Sequence, residues 1–299
     1  MTAVLVTGAT GTVGRHVVSE LLDRNADVRA GVRSIERARE TLPDGAALVE
    51  FDFEKPETWG RAFEGVDALF LVRPPEMGRV HRHITPSVDA ATRVGVDHVV
   101  FLSVLGAEKN PLLPHRRIEK HLQASDLSWT FLRASFFMQN FYVVHRADVT
   151  ERGELFVPAG DGETSFVDAR DVAAVGAAAL ANPADHRNRS YDVTGPDALT
   201  YHEAAAVFSD ALDREIEYAD PGLLEFVATT ARRDGSLPFA LVQGVVYTTA
   251  RLGLAGRVTD DVERVLGRPP RSLSEFLRDH ADEFEPAERD AEGAPARKE

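Results

Sequence analysis

The stretch Val6-Thr7-Gly8-Ala9-Thr10-Gly11-Thr12-Val13-Gly14 decides how this chain is read. Three glycines stand three apart, directly after an apolar run at 4–7 and at the start of a segment, 13–22, with helical spacing. Gly8 permits a tight turn. Gly11 lets an anion approach the backbone with no Cβ in the way, and Gly14 allows a helix to pack closely on a sheet. A helix start presents free N–H groups and the positive end of the helix dipole, so the turn suits a pyrophosphate. The residues of that cradle are Gly8, Thr10, Gly11, Thr12, Val13 and Gly14. A glycine triplet alone is a weak signal; a strand before it and a helix after it are the context the motif requires.

Outward from the turn, strand and helix signals alternate. Strands are expected at 27–32, 47–51, 68–72, 98–102 and 129–132, with helices at 35–42, 56–63, 79–94 and 114–124. Near-continuous apolar strands between amphipathic helices predict an α/β fold, a doubly wound parallel Rossmann sheet covered on both faces. After Arg133 the pattern loosens: an aromatic-rich start to 135–149, a short strand at 154–157, then 165–167 and a helix at 172–180 that read as a return to the main sheet. A strand at 190–193, a helix at 201–212 capped by Thr200 and a mainly helical stretch at 221–283 follow. The expected organisation is a Rossmann domain of 1–133 plus 164–182 and a smaller, discontinuous α+β lobe of 134–163 plus 183–284. A tail at 285–299, almost without large apolar residues, is expected to be disordered.

Composition narrows the function. There are 299 residues, of which 43% are hydrophobic, and no run of 18 apolar residues, so no membrane span is expected. The N-terminus lacks the basic start and long apolar stretch of a secretory signal, which points to the cytoplasm. With no cysteine, thiol chemistry and thiolate metal sites are excluded. His81 and His83 are two apart near a helix start and face different ways, so no metal site is expected. The net charge is −14, from 34 basic and 48 acidic residues, and no basic stripe offsets it, which argues against nucleic acid as a partner. Lysine occurs only at positions 55, 109, 120 and 298. Many acids with few lysines suit a high-salt cytoplasm; arginine-favouring codons of a GC-rich genome give the same bias.

The strand ends carry the rest. The second strand closes on Val32-Arg33-Ser34, where an acidic residue would accept from a ribose 2′-hydroxyl; an arginine fork instead pairs with a 2′-phosphate. Arg37, a turn later, adds charge or stacks on a base. The fourth strand ends in Leu71, Val72 and Arg73, and Arg73 either faces phosphates or is solvated. Ser103 ends the fifth strand, to contact cofactor or substrate or to cap a turn. Ser135, Phe136, Phe137 and Asn140 follow the sixth. Flat aromatic side chains there suit a flat apolar substrate, although such spacing also fits core packing, and Asn140 suits ordering of backbone.

The glycine spacing after Val-Thr, with Val32-Arg33, Phe51-Asp52-Phe53, 98–103, Leu132-Arg133 with 136–141, 166–172, 191–196 and Gly267-Arg268-Pro269-Pro270, resembles the NmrA-like, NAD(P)-binding branch of the atypical short-chain dehydrogenases/reductases, in family order over most of the chain. The resemblance implies that Arg33 marks a preference for NADP(H) over NAD(H). It implies that Asp52 and Phe53 contact adenine, although Asp52 equally suits capping the helix after it. It implies that Asp171 caps the helix that follows it. Typical members of the wider group use a Tyr-x-x-x-Lys pair on the helix after the fifth strand. That helix here has His115-Arg116-Arg117-Ile118-Glu119 instead. Either His115 stands in for the tyrosine with Glu119 orienting it, or the two line a site without moving a proton, or they are an ordinary helix pair.

The leading expectation is an NADP(H)-dependent oxidoreductase passing hydride to a small electron-poor acceptor, a quinone, enone or carbonyl compound. Such acceptors stabilise the added electrons and need no protein acid. The resemblance also allows a non-catalytic redox sensor that acts through a protein partner, and the chain can pair as a homodimer.

Overall fold

The structure, a computed structural model, describes residues 2–285. The tail expected to be disordered therefore lies outside the described residues, apart from Glu285. The chain forms strands β1 (Ala3–Thr7), β2 (Asp27–Val32), β3 (Ala47–Glu50), β4 (Ala68–Val72), β5 (His98–Val104), β6 (Ser128–Ala134), β7 (Phe136–Phe137), β8 (Glu154–Phe156), β9 (Glu163–Val167), β10 (Arg189–Val193), β11 (Ala198–Thr200) and β12 (Glu217–Ala219). Its main helices are α1 (Gly14–Asp23), α2 (Ile35–Thr41), α3 (Trp59–Phe63), α4 (Val80–Arg93), α5 (Pro114–Gln123), α6 (Asn140–Val143), α7 (Ala169–Ala181), α8 (Pro183–His186), α9 (Tyr201–Leu212), α10 (Leu223–Asp234), α11 (Leu237–Arg251), α12 (Asp261–Leu266) and α13 (Leu273–Asp279).

Seven strands pair in the order β10-β6-β5-β4-β1-β2-β3, every pairing parallel. This is the expected doubly wound sheet, reversing direction of winding at β1. Alternate residues of each strand feed two cores. Val4, Val6, Phe70, Val100 and Leu132 join Val17, Val18 and Leu21 of α1 and Val172 and Val175 of α7 on one face. Leu5, Leu69, Leu71, Phe101 and Phe131 join Trp59, Ile84, Val88, Ile118 and Leu122 on the other. Because all seven strands run the same way, their carboxyl ends lie along one edge, where the strand-end residues singled out above belong.

The chain divides into two compact units. The first is Met1–Gln139, Glu163–Leu199 and Leu254–Leu273; the second is Asn140–Gly162, Thr200–Gly253 and Ser274–Glu299. Residues 134–139, 163, 183–199 and 254–273, assigned above to the smaller lobe, thus fall in the first unit. The reason is hydrogen bonding. β10 is the edge strand on β6, and residues 254–273 are tied to it: Thr259 N donates to Thr194 Oγ1 at 3.0 Å, and Asp192 N donates to Asp261 Oδ2 at 2.7 Å. Residues 165–167 likewise do not rejoin the main sheet. They lie in β9, the middle of a separate three-stranded sheet, β11-β9-β7, in the first unit. In the second unit β8 pairs with β12. Thr200 caps α9 as expected, in a reciprocal box with Glu203.

Candidate functional site

The glycine turn is built as its spacing demands. Gly8 is left-handed at φ 61°, and Gly11 N donates to Gly8 O at 2.9 Å. A Cβ on Gly14 would lie 2.1 Å from Gly8 O, an impossible overlap, so the start of α1 rests directly on the turn. Thr10, Gly11 and Thr12 are exposed, while Val13 is buried and anchors the turn to the core. Thr7, overlooked in the sequence, is fully buried. Its hydroxyl donates to Phe70 O at 3.0 Å and accepts from Val72 N at 2.9 Å, clamping β1 to β4 immediately before Gly8. An exposed glycine turn at a helix start, so tightly braced, fits the pyrophosphate of a dinucleotide.

Arg33 and Arg37 are both exposed beyond β2, and among the described residues neither has an ion-pair partner. Asp52 uses its side chain locally: Oδ1 accepts from Glu54 N at 2.9 Å within the turn, and since Lys55 and Thr58 hold the N-cap positions of the helical turn and helix that follow, it does not cap the helix after it. Phe53 is only 5% exposed and packs edge-on against Phe51 at 4.9 Å, so its ring is core. Leu71 is wholly buried in the second-face core and Val72 borders the first. Arg73 gives Nη1 to the carbonyls of Pro74 at 2.7 Å and Pro75 at 2.9 Å, which fastens it to its own loop.

The region of the missing Tyr-x-x-x-Lys is organised around Glu119, which is fully buried. Its Oε1 accepts from Ser103 Oγ at 2.7 Å and Arg133 Nε at 3.0 Å; its Oε2 accepts from Arg116 Nη1 at 2.9 Å and Arg133 Nη2 at 3.1 Å. A buried carboxylate needs such donors, and two guanidiniums supply them. Arg133 also meets Glu108 at 3.5 Å, and Glu108 and Asp192 share Arg257. The structure therefore separates the pair the sequence suggested. Glu119 is bonded to Ser103, Arg116 and Arg133, and among the described residues no hydrogen bond joins it to His115.

His115 instead accepts from Arg73 Nε at 3.5 Å. Burial, and then the charge of Arg73, lower its pKa to about 4, against a smaller opposing pull from Glu119. At neutral pH its ring carries no positive charge. Ser103 is only 1% exposed, with its proton spent on Glu119.

Beyond β6, Ser135 Oγ is buried and among the described residues has no hydrogen-bond partner, the kind of group a ligand satisfies. Phe136 meets Phe166 edge-on at 5.8 Å, and Phe137 packs on the first-face core, so both rings do structural work. Asn140 opens α6 in the second unit, where its carbonyl accepts from Val144 N at 2.9 Å and His145 N at 3.2 Å. Asp168, not Asp171, caps α7, accepting from Arg170 N at 2.8 Å. Asp171, one turn in, receives Arg268 Nη2 at 2.8 Å and Arg271 N at 2.7 Å, so it anchors the Gly267–Pro270 stretch. Among the described residues no group of three His, Asp or Glu could hold a metal ion, and no helix is long and apolar enough to cross a membrane.

A parallel sheet in this order, with a glycine turn between its first strand and first helix, defines a Rossmann-like protein. The chain belongs to the NmrA-like family, whose model matches residues 1–248. It is 36% identical over 287 residues to an NAD(P)H azoreductase of Xenophilus azovorans, covering 94% of this chain and 99% of that protein. Among solved structures, an NADPH-dependent quinone oxidoreductase of Escherichia coli in complex with NADPH superposes with a TM-score of 0.84 at 24% identity, covering 92% of this chain and 98% of the other. NmrA, a negative transcriptional regulator in complex with NADP, superposes with a TM-score of 0.71 at 18% identity, covering 93% and 95%.

Proposed function

We propose that the protein is an NADP(H)-dependent oxidoreductase that reduces a small, flat, electron-poor acceptor such as a quinone, an enone, a carbonyl compound or an azo dye. The carrying observation is the exposed stretch Thr10–Thr12 on the braced turn at the start of α1, with exposed Arg33 at the end of the next strand. The amides would hold the pyrophosphate and Arg33 a 2′-phosphate. When bound, the cofactor supplies the hydride. This chain's own residues bind, orient and shield; Ser135 Oγ is free to donate to a carbonyl or amide oxygen. No side chain of the β5–α5 region stands ready with a proton. His115 is neutral and Ser103 is bonded to Glu119, which favours acceptors that carry the added charge themselves. The relatives named for azo and quinone reduction support that substrate class.

The same lack of a proton donor favours a second reading, a redox sensor that binds the dinucleotide and signals to a protein partner, as NmrA is a regulator. The two are separated by following the loss of NADPH absorbance across a panel of quinones, enones and azo dyes, alongside calorimetric titration of NADPH and NADP+. Acceptor-dependent NADPH loss is expected. Strong discrimination between the two redox forms with no turnover on any acceptor would replace the enzyme with the sensor.

A further inference from the structure

The second unit holds a cavity of about 240 Å³ whose wall includes His145, Asp148, Arg152, Phe226, Arg233 and Gln243. Two arginines and one carboxylate stand in this wall. That carboxylate is already saturated. Asp148 Oδ1 accepts from Arg152 Nε at 3.0 Å and Arg233 Nη1 at 2.7 Å, and Oδ2 accepts from His145 Nδ1 at 3.4 Å. Burial pushes the Asp148 carboxyl up, but the hydrogen bonds from His145 and Arg152 outweigh it and hold it below the usual range. His145 Nε2 also meets the buried Tyr247 hydroxyl.

Glu154, outside the cavity wall, meets Arg152 at 3.4 Å, so the two arginines are balanced by two carboxylates, and what Arg233 has to spare is hydrogen-bond donors rather than charge. Its guanidinium is held in place, lying over the Phe156 ring at 4.9 Å and giving one nitrogen to Asp148. Among the described residues nothing takes its other donors. A pre-set guanidinium plane with spare N–H groups matches a carboxylate. Beside it, buried Phe226 offers an apolar wall and half-buried Gln243 an amide. A cavity of this volume has room for one small ring.

We propose that this cavity binds a small organic monocarboxylate with a compact apolar body, its carboxylate on Arg233 and its body against Phe226. The test is calorimetric titration of the full chain, its glycine turn kept filled by saturating NADP+, with benzoate, with its neutral isostere benzamide, and with inorganic phosphate, at constant ionic strength. Benzoate should bind saturably and at least about tenfold more tightly than either of the others, the scale of a hydrogen-bonded charge. Arg233→Gln should weaken benzoate about tenfold or more while leaving the NADPH titration and the melting temperature in place. Should that variant fail to fold, Gln243→Leu keeps the test alive, with benzoate weakened and NADPH binding unchanged. No saturable benzoate uptake, equal binding of benzamide or phosphate, or benzoate binding untouched by these substitutions overturns the proposal. The NADPH titration on the same protein reads the glycine turn separately, so the two assignments fail independently.

Discussion

At the scale of single residues, charge and burial decide what each side chain can do. Arg33 is exposed and, among the described residues, unpaired, so it is available to a phosphate. Replacing it by Asp offers a 2′-hydroxyl acceptor and repels a 2′-phosphate. The ratio of NADPH to NADH dissociation constants should then move at least tenfold towards NADH, the scale of one charge-assisted hydrogen bond; unchanged affinities for both would end the account of nucleotide choice. His98 makes a different point. It is 1% exposed, and burial first, then the charge of Arg187, lowers its pKa to about 4. His115 is lowered to about 4 as well. Below about pH 6.5 the unfolded chain takes up protons that the folded rings refuse. Stability should therefore be flat above neutrality and fall as pH drops from about 6.5 towards 4. For His98 the contribution at stake is about 3 kcal/mol. Urea denaturation across that range should show the slope, and His98→Leu should reduce it. A slope identical in the variant would show that this ring titrates normally in the fold.

At the scale of elements, the strand–turn–helix unit of β1 and α1 was the most legible part of the chain. Its glycines stand where their lack of Cβ is needed, and each need is local. Gly14→Ala puts a methyl against Gly8 O, backbone on backbone, so the turn must open. We expect a loss of about 1–3 kcal/mol in stability, the usual cost of overpacking, and NADPH affinity reduced at least about tenfold. Wild-type NADPH binding by a folded Gly14→Ala protein would remove the turn from the site. The β5–α5–β6 region was much less legible. Helical spacing put His115 and Glu119 on one face, but whether they touch depends on what lies behind the helix. Arg133 comes from β6 and outcompetes the neutral ring for the Glu119 carboxylate. Similarly, spacing marked both Asp168 and Asp171 at a strand–helix junction, while only the three-dimensional path of residues 267–271 makes Asp171 an anchor.

At the scale of the whole molecule, the excess of acidic residues acts through long-range repulsion. Its range is about 10 Å at 0.1 M salt and about 3 Å at 1 M. If the charge is an adaptation to high salt, the melting temperature should climb as KCl is raised from about 0.1 M to about 2 M, because screening relieves that self-repulsion. A flat or falling melting temperature would leave arginine-favouring codons as the explanation.

The order of strands and helices, the parallel sheet and the glycine cradle were determined by the sequence alone, because hydrophobic period and missing Cβ atoms act between neighbours along the chain. Tertiary structure alone decided the partners of buried charge and the ownership of short strands. β10, β9 and β7 are brief enough to join any sheet edge, and only the surrounding hydrogen bonds settle which. A buried carboxylate such as Glu119 binds whichever cations the fold brings to it: Arg116 lies on its own helix, but Arg133 comes from β6, which helical spacing does not number.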